Sequence, residues 1–186
     1  MKATCRHAAW IILMLFVASA AHADGVVSFS AVPADISGPP GSTVGWGYSI
    51  TNGTSDWVET TNVDQGLFQQ GTFSALFDFP VIAPGATVTE NFIFTNGTGI
   101  DIGLGEFAWD ANAPVGFVNS GFFVLSYELF SGDPILDPNA IDLGAGANIS
   151  TPYSVTVSST AIPEPGSLYL ALSGIGIVLL FRKRLS

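Results

Sequence analysis

Thr43-Val44-Gly45-Trp46-Gly47-Tyr48-Ser49-Ile50-Thr51-Asn52-Gly53 decides the fold of this chain. Val44, Trp46, Tyr48 and Ile50 fall on one side of an extended backbone, and Thr43, Gly45, Ser49 and Thr51 on the other. This is the period of two expected of a half-buried strand. Other stretches repeat the pattern. Phe73, Ala75, Phe77 and Phe79 form an inward set, as do Phe123, Leu125, Tyr127 and Leu129, and Tyr153, Val155 and Val157. Val27, Phe29 and Ala31 make a first strand, and Ser and Thr dominate the outward positions. No window carries a convincing amphipathic helix. The expected fold is all-β, an immunoglobulin-like antiparallel β-sandwich of about seven to nine strands.

A weak repeat reinforces this reading. Pro40-Gly41-Ser42-Thr43-Val44 leads to Asn52-Gly53-Thr54, and Pro84-Gly85-Ala86-Thr87-Val88 leads to Asn96-Gly97-Thr98. In each half a Pro-Gly turn launches a strand, and Asn-Gly is expected to close it with positive φ. Glu90 takes the place of the inward Trp46, which implies a bulge or a sheet edge there. The repeats are too short to be separate domains.

Charge placement excludes much chemistry. The chain has 186 residues and five Lys and Arg: Lys2, Arg6, Arg182, Lys183 and Arg184. His7, His22 and the single cysteine, Cys5, also lie near the start. Of the fifteen acids, all but Glu164 lie between Asp24 and Asp142, so the middle of the chain is a polyanion without one cation. It repels nucleic acid, whose binding needs cationic side chains. Ser-His-Asp, Cys-His, Schiff-base and zinc chemistry all lack their residues.

The two ends read as processing segments. Met1 to Arg6 is a basic n-region, and Ala8 to Ala18 an apolar h-region. Ala21 and Ala23 satisfy the small-x-small rule, so signal peptidase is expected to cut after Ala23. The expected domains are a signal peptide (1–23, an N-terminal signal helix), a secreted β domain (24–157), a linker (158–162) and a tail (163–186). In the tail, Pro163-Glu164-Pro165 precedes an apolar stretch, 168–181, and the basic cluster Arg182, Lys183 and Arg184. As a helix the apolar stretch spans about 21 Å, so snorkelling bases would have to complete a crossing of the inner membrane. The positive-inside rule keeps the cluster cytoplasmic and the β domain outside.

This three-part tail resembles the PEP-CTERM sorting signal of Gram-negative bacteria. The resemblance covers Ile162 to Arg184, with Ile162 where the family often has Val. It implies a C-terminal transmembrane sorting helix and an exosortase partner that removes the tail near Pro163-Glu164-Pro165. It also implies passage from the inner membrane to the cell surface or to an extracellular matrix rich in exopolysaccharide.

For the β domain itself the expected role is non-enzymatic. Carboxylates such as Asp101, Glu106, Asp110 and Glu128 are weighed as a glycosidase pair, but sequence fixes no separation between them. Trp57 and Trp109, beside acids, are the candidate glycan-stacking residues. No cofactor is expected, although Asp133, Asp137 and Asp142 offer loop oxygens suited to calcium. The alternatives are thus a carbohydrate-binding module for exopolysaccharide and a calcium-stabilised adhesin.

Overall fold

The computed structural model describes residues 25–159. The expected signal helix, the cleavage residues Ala21 and Ala23, the Pro163-Glu164-Pro165 motif, the apolar stretch and the Arg182-Lys183-Arg184 cluster lie outside the described residues. Within them the chain is all-β. The strands are β1 (Val27–Val32), β2 (Asp35–Gly38), β3 (Thr43–Asn52), β4 (Trp57–Asp64), β5 (Gly71–Ala75), β6 (Val81–Ile82), β7 (Thr87–Glu90), β8 (Gly105–Trp109), β9 (Val118–Phe130), β10 (Asp142–Ala145) and β11 (Ile149–Val157). No described helix is long and apolar enough to cross a membrane.

The strands form two sheets. One runs β1-β3-β8-β5, with β7 also on β3; the other runs β2-β11-β9-β4-β6, with β10 also on β9. There are more strands than expected because several are short. One pair, β2 with β11, is parallel, so the sheets are not purely antiparallel. The described chain is therefore sandwich-like, and an immunoglobulin-type strand arrangement is not established.

Strand β3 is the hinge of the first sheet. It pairs β1 along Gly47–Asn52, β8 along Thr43–Trp46 and β7 along Tyr48–Thr51. The repeated segments are therefore partners: β7, launched from Pro84-Gly85, lies antiparallel to β3, launched from Pro40-Gly41. Gly41 and Gly85 both have positive φ, 76° and 72°. Glycine adopts this region without the steric penalty of a Cβ. Across the pair, Ser49 faces Thr89 and Thr51 faces Thr87, with hydroxyl oxygens 2.9 Å apart in each case. Glu90 is the last residue of β7, opposite Tyr48, and β7 pairs only with β3. The edge placement explains how a carboxylate stands in the repeat position of Trp46.

The second Asn-Gly turn forms as expected, with Asn96 at φ 50° and Gly97 at φ 76°. The first does not. Asn52 is fully buried as the last residue of β3. Its Nδ2 donates to Asp56 O (2.7 Å) and Ile82 O (3.0 Å), and its Oδ1 accepts from Thr54 N and Thr54 Oγ1. That side chain substitutes for a strand partner in the turn between β3 and β4. The Phe73–Phe79 alternation also breaks early. Strand β5 ends at Ala75, and Phe79 sits at φ 55°, half-exposed, instead of facing inward.

The core is aromatic. Trp46, Tyr48, Ile50, Phe107, Phe123, Leu125 and Val155 are all fully buried. Trp46 contacts Phe68 and Phe73 on its own side and Phe123 and Tyr153 on the other sheet, at centroid separations of 5.3–6.4 Å. Such tilted and edge-on pairs add to area burial. The Trp46 Nε1 donates to Ala34 O at 3.2 Å, so its one polar atom is satisfied.

Tyr48 donates its hydroxyl hydrogen bond to Asp78 Oδ1 at 2.5 Å. Burial, then this bond, then the charges of Asp78 and Glu90 push its pKa far above the ordinary tyrosine value. Burial also raises Tyr127 and Tyr153. A folded pKa above the unfolded one means that the stability these groups contribute is intact below the unfolded value, about 10. It is lost as pH climbs from there toward the folded pKa. We expect the melting temperature to fall steeply above about pH 10, and Tyr48→Phe to shallow that fall in a thermal-unfolding series. An unchanged slope in the variant would disprove the assignment to Tyr48.

Candidate functional site

The outward face of the second sheet gathers a compact set of side chains. In the β4–β9 pair, Val58 faces Leu129 and Thr60 faces Tyr127 on the core side, where Val58, Thr60 and Tyr127 are buried. Alternation therefore sends Trp57, Glu59, Glu128 and Phe130 to the outer face. There Trp57 stands directly opposite Phe130, and Glu59 directly opposite Glu128. Strand β10 extends the row, placing Asp142 opposite Phe130 on its other flank. Two aromatic residues are thus bracketed by three carboxylates, all partly or fully exposed. Like charges directly opposed across a strand pair destabilise it. No described lysine, arginine or histidine relieves the Glu59–Glu128 pair, so an outside donor or cation would.

Of the residues singled out in the sequence, the structure brings together Trp57, Glu128 and Asp142. Glu59 and Phe130 went unnoticed. Their outward positions follow from alternation around Val58 and Leu129, but the pairing of two strands more than sixty residues apart has no local signal. Trp109 is a correction. It is 3% exposed and packs edge-on against Phe107 and Phe117 at 4.7 and 6.4 Å, so its faces cannot stack on a sugar. Gly105, Phe107 and Trp109 form the core-facing set of β8, an alternation that outweighs the neighbouring Asp110.

The calcium candidates are scattered in role. The Asp133 Oδ1 accepts hydrogen bonds from Ile135 N and Leu136 N, Asp137 Oδ1 from Asn139 N, and Asp142 Oδ1 from Gly144 N. These are Asx-type bonds that shape the loop. No group of three acidic, histidine or cysteine side chains arranged to hold a metal ion occurs among the described residues. A separate cleft of about 910 Å³ opens at one end of the domain, lined by Val26, Gly53, Asp56, Tyr127, Gly146 and Ile149 among others. Asp56 is the single charged side chain among its lining residues.

Asp101 and Glu106, two of the four acids weighed for catalysis, are neighbours. The hydroxyl and backbone N–H of Thr95 both donate to Asp101 Oδ1 at 2.6 Å and hold that carboxyl below the usual range. Burial raises Glu106, and the Asp101 charge adds to this. The Glu106 Oε2 is buried without a hydrogen-bond partner. Beside it the Phe92 ring covers Gly45, where a Cβ would approach ring carbons to within 2.3–2.6 Å. Asp110 and Glu128 lie elsewhere.

Because the folded pKa of Glu106 exceeds its unfolded one, its favourable contribution exists below the ordinary carboxylate range and disappears as pH rises through it. Glu106→Gln should therefore raise the melting temperature at pH 7. The gain should shrink toward zero as pH falls below about 4. A variant less stable than the parent at pH 7 would overturn this account.

The comparisons with known proteins bear mainly on the tail. No curated protein matches the chain. A chain of the crystallised CaDoc0917–CaCohA2 complex is similar at 17% identity, over 72% of this chain and 100% of that one, with a TM-score of 0.23. A likeness so slight carries no argument. Residues 161–184 match the PEP-CTERM protein-sorting motif, one residue longer at the start than the tail resemblance. The motif marks an exported protein sorted by an exosortase at the membrane of a Gram-negative bacterium. This chain therefore carries a PEP-CTERM sorting domain at its C-terminus.

Proposed function

We propose that this protein is a non-enzymatic component of the cell surface or extracellular matrix. In this reading signal peptidase exposes Asp24, the β domain folds outside the inner membrane, and exosortase removes the tail near Pro163-Glu164-Pro165. The observation that carries the proposal is the sorting motif at residues 161–184, joined to a β domain without His, Cys, Lys or Arg. Such a domain has no imidazole, thiol or amine to serve as base or nucleophile, and only hydroxyl and carboxylate groups remain. Intact mass of the native protein, taken from membrane and culture fractions, tests the sorting. Loss of the residues after Pro165 supports exosortase release. A mass running through Ser186 in membranes alone would reduce the tail to an anchor.

A specific observation favours one molecular role within that reading, binding of exopolysaccharide by the outer face of β4 and β9. Trp57 and Phe130 offer stacking surfaces for the apolar faces of sugar rings. Glu59, Glu128 and Asp142 accept hydrogen bonds from their hydroxyls, or attract a cationic amino sugar. A polymer that donates to the Glu59–Glu128 pair would relieve its repulsion, which gives neutral and cationic glycans an advantage over anionic ones. Calorimetry with the producing cell's own polymer should show binding that Trp57→Ala weakens about tenfold or more. Phe130→Leu should weaken it less, and Trp109→Phe should leave it alone if the variant folds. Full affinity in Trp57→Ala would remove this site from consideration.

A further inference from the structure

Strand β5 is an edge strand of the first sheet, and its edge is unguarded. It pairs with β8 alone, through Gly71↔Trp109, Phe73↔Phe107 and Ala75↔Gly105. The bonds from Asp110 N to Gln70 O and from Leu76 N to Leu104 O show which residues turn their backbone toward β8: the even-numbered ones. Gly71, Phe73 and Ala75 therefore direct N–H and C=O away from the sheet, where no described group meets them.

Proteins normally blunt such edges with charges, proline, bulges or very short strands. The other edges here are guarded. Strand β2 carries Asp35, β7 Glu90, β10 Asp142, and the outer end of β4 Asp64. Strand β6 has two residues, and the β1 residue Ala31 donates its N–H to Thr151 Oγ1. By contrast, Gln65 to Phe77 is one uncharged run between Asp64 and Asp78, with no proline and no bulge in β5. The strand is also held rigidly. The Asn119 side chain donates to Gln69 O (2.8 Å) and accepts from Gln69 N (2.9 Å), while Phe73 stacks on Phe68 with a 2° interplanar angle.

We propose that β5 is the dimerisation edge of this protein, pairing antiparallel with β5 of a second copy about a two-fold axis at Phe73. The register is self-complementary. Gly71 meets Ala75 of the second copy, Phe73 meets its counterpart, and Ala75 meets Gly71, each pair exchanging both backbone bonds. Electrostatics selects the occupant. Two copies of a domain carrying only negative charge repel wherever carboxylates come together; β5 brings none, and of the other acid-free edges β1 lies against β11 and β6 has only two residues. The nearest acid in the sheet is Glu106 on β8, opposite Ser74. Its counterpart would lie three strand spacings away, roughly 14 Å, beyond a Debye length of about 8 Å at physiological salt. Association should therefore be absent at low ionic strength and strengthen to a plateau as salt is added.

The test uses the full chain in detergent micelles with Cys5→Ser, which leaves introduced thiols as the only ones. Sedimentation should give a dimer at 0.15 M salt and above, on the order of one Debye length of screening. Ala75→Pro removes an outward N–H without touching the β5–β8 ladder, and Thr72→Asp puts a charge on the exposed face. Each should raise the dimer dissociation constant by about tenfold or more while leaving the melting temperature of the monomer unchanged. A mixture of Thr72→Cys and Ser74→Cys copies should oxidise to a mixed disulfide in preference to either homodisulfide, because residue 72 faces residue 74 of the second copy. A monomer at every salt concentration, a dimer indifferent to both substitutions, or cross-linking without the 72–74 preference would each overturn the proposal. None of these outcomes bears on tail cleavage or on glycan affinity at Trp57.

Discussion

Trp46 ties the domain together. It sits at the point where β3 leaves β8 for its run beside β7, and it reaches across to Phe123 and Tyr153 of the opposite sheet. Its fully buried indole pairs with aromatic rings from the loop before β5, from β5 itself, from β9 and from β11. Burying a group of that size is among the largest single contributions a domain this small can have; truncation of such a residue costs on the order of 3–5 kcal/mol. The flanking glycines belong to the same constraint. Gly45 lies under the Phe92 ring, and Gly47 lies where a Cβ would come within 2.2 Å of Glu90 O. The Gly-Trp-Gly sequence thus permits a large inward side chain while close neighbours cover its own strand from outside.

The aromatic core is what lets the rest of the molecule carry an unbalanced charge. With no cation among the described residues, nothing among them is stabilised by an ion pair, and apart from Glu106, whose Oε2 is buried without a partner, the carboxylates are solvated or held by hydroxyl and amide donors. Thr95 at Asp101, Tyr48 at Asp78 and Ser154 at Asp35 are such arrangements. On outer faces, hydroxyl ladders between Ser49, Thr51, Thr87 and Thr89 take the place that charged cross-strand pairs hold in other sheets. The stability of the domain is then set by packing and neutral hydrogen bonds, and its surface field is available for selection among partners.

Much of the strand content was legible in local alternation, because inward faces at Val27–Ala31, Trp46–Ile50, Phe123–Tyr127 and Tyr153–Val157 are read from period two alone. The edge position of Glu90 was legible for the same reason, as an acid in an inward slot. What could not be read is pairing. The outer-face patch depends on β4 meeting β9 in one register, and the open edge of β5 depends on β5 pairing with β8 alone. Asn52 misled because Asn-Gly ordinarily names a tight turn, whereas here a buried amide has more to bond inside the fold than in a turn. Trp109 misled because a neighbouring acid drew attention away from the alternation of its own strand. The sorting tail, by contrast, is linear chemistry read by another protein, and its parts are recognisable in order without any fold.

The parallel pairing of β2 with β11 bears on how this domain behaves as a tethered object. The last strand is central in its sheet, bonded on one flank to β9 along Ile149–Thr156 and on the other to β2 along Ser154–Val157. The linker expected at 158–162 leads from it to the sorting tail. Tension that reaches the end of β11 along its axis would load its two ladders in shear, many bonds at once, instead of peeling them one at a time. A domain held by its C-terminal end would then meet the load on a strand bonded on both flanks instead of on an edge strand.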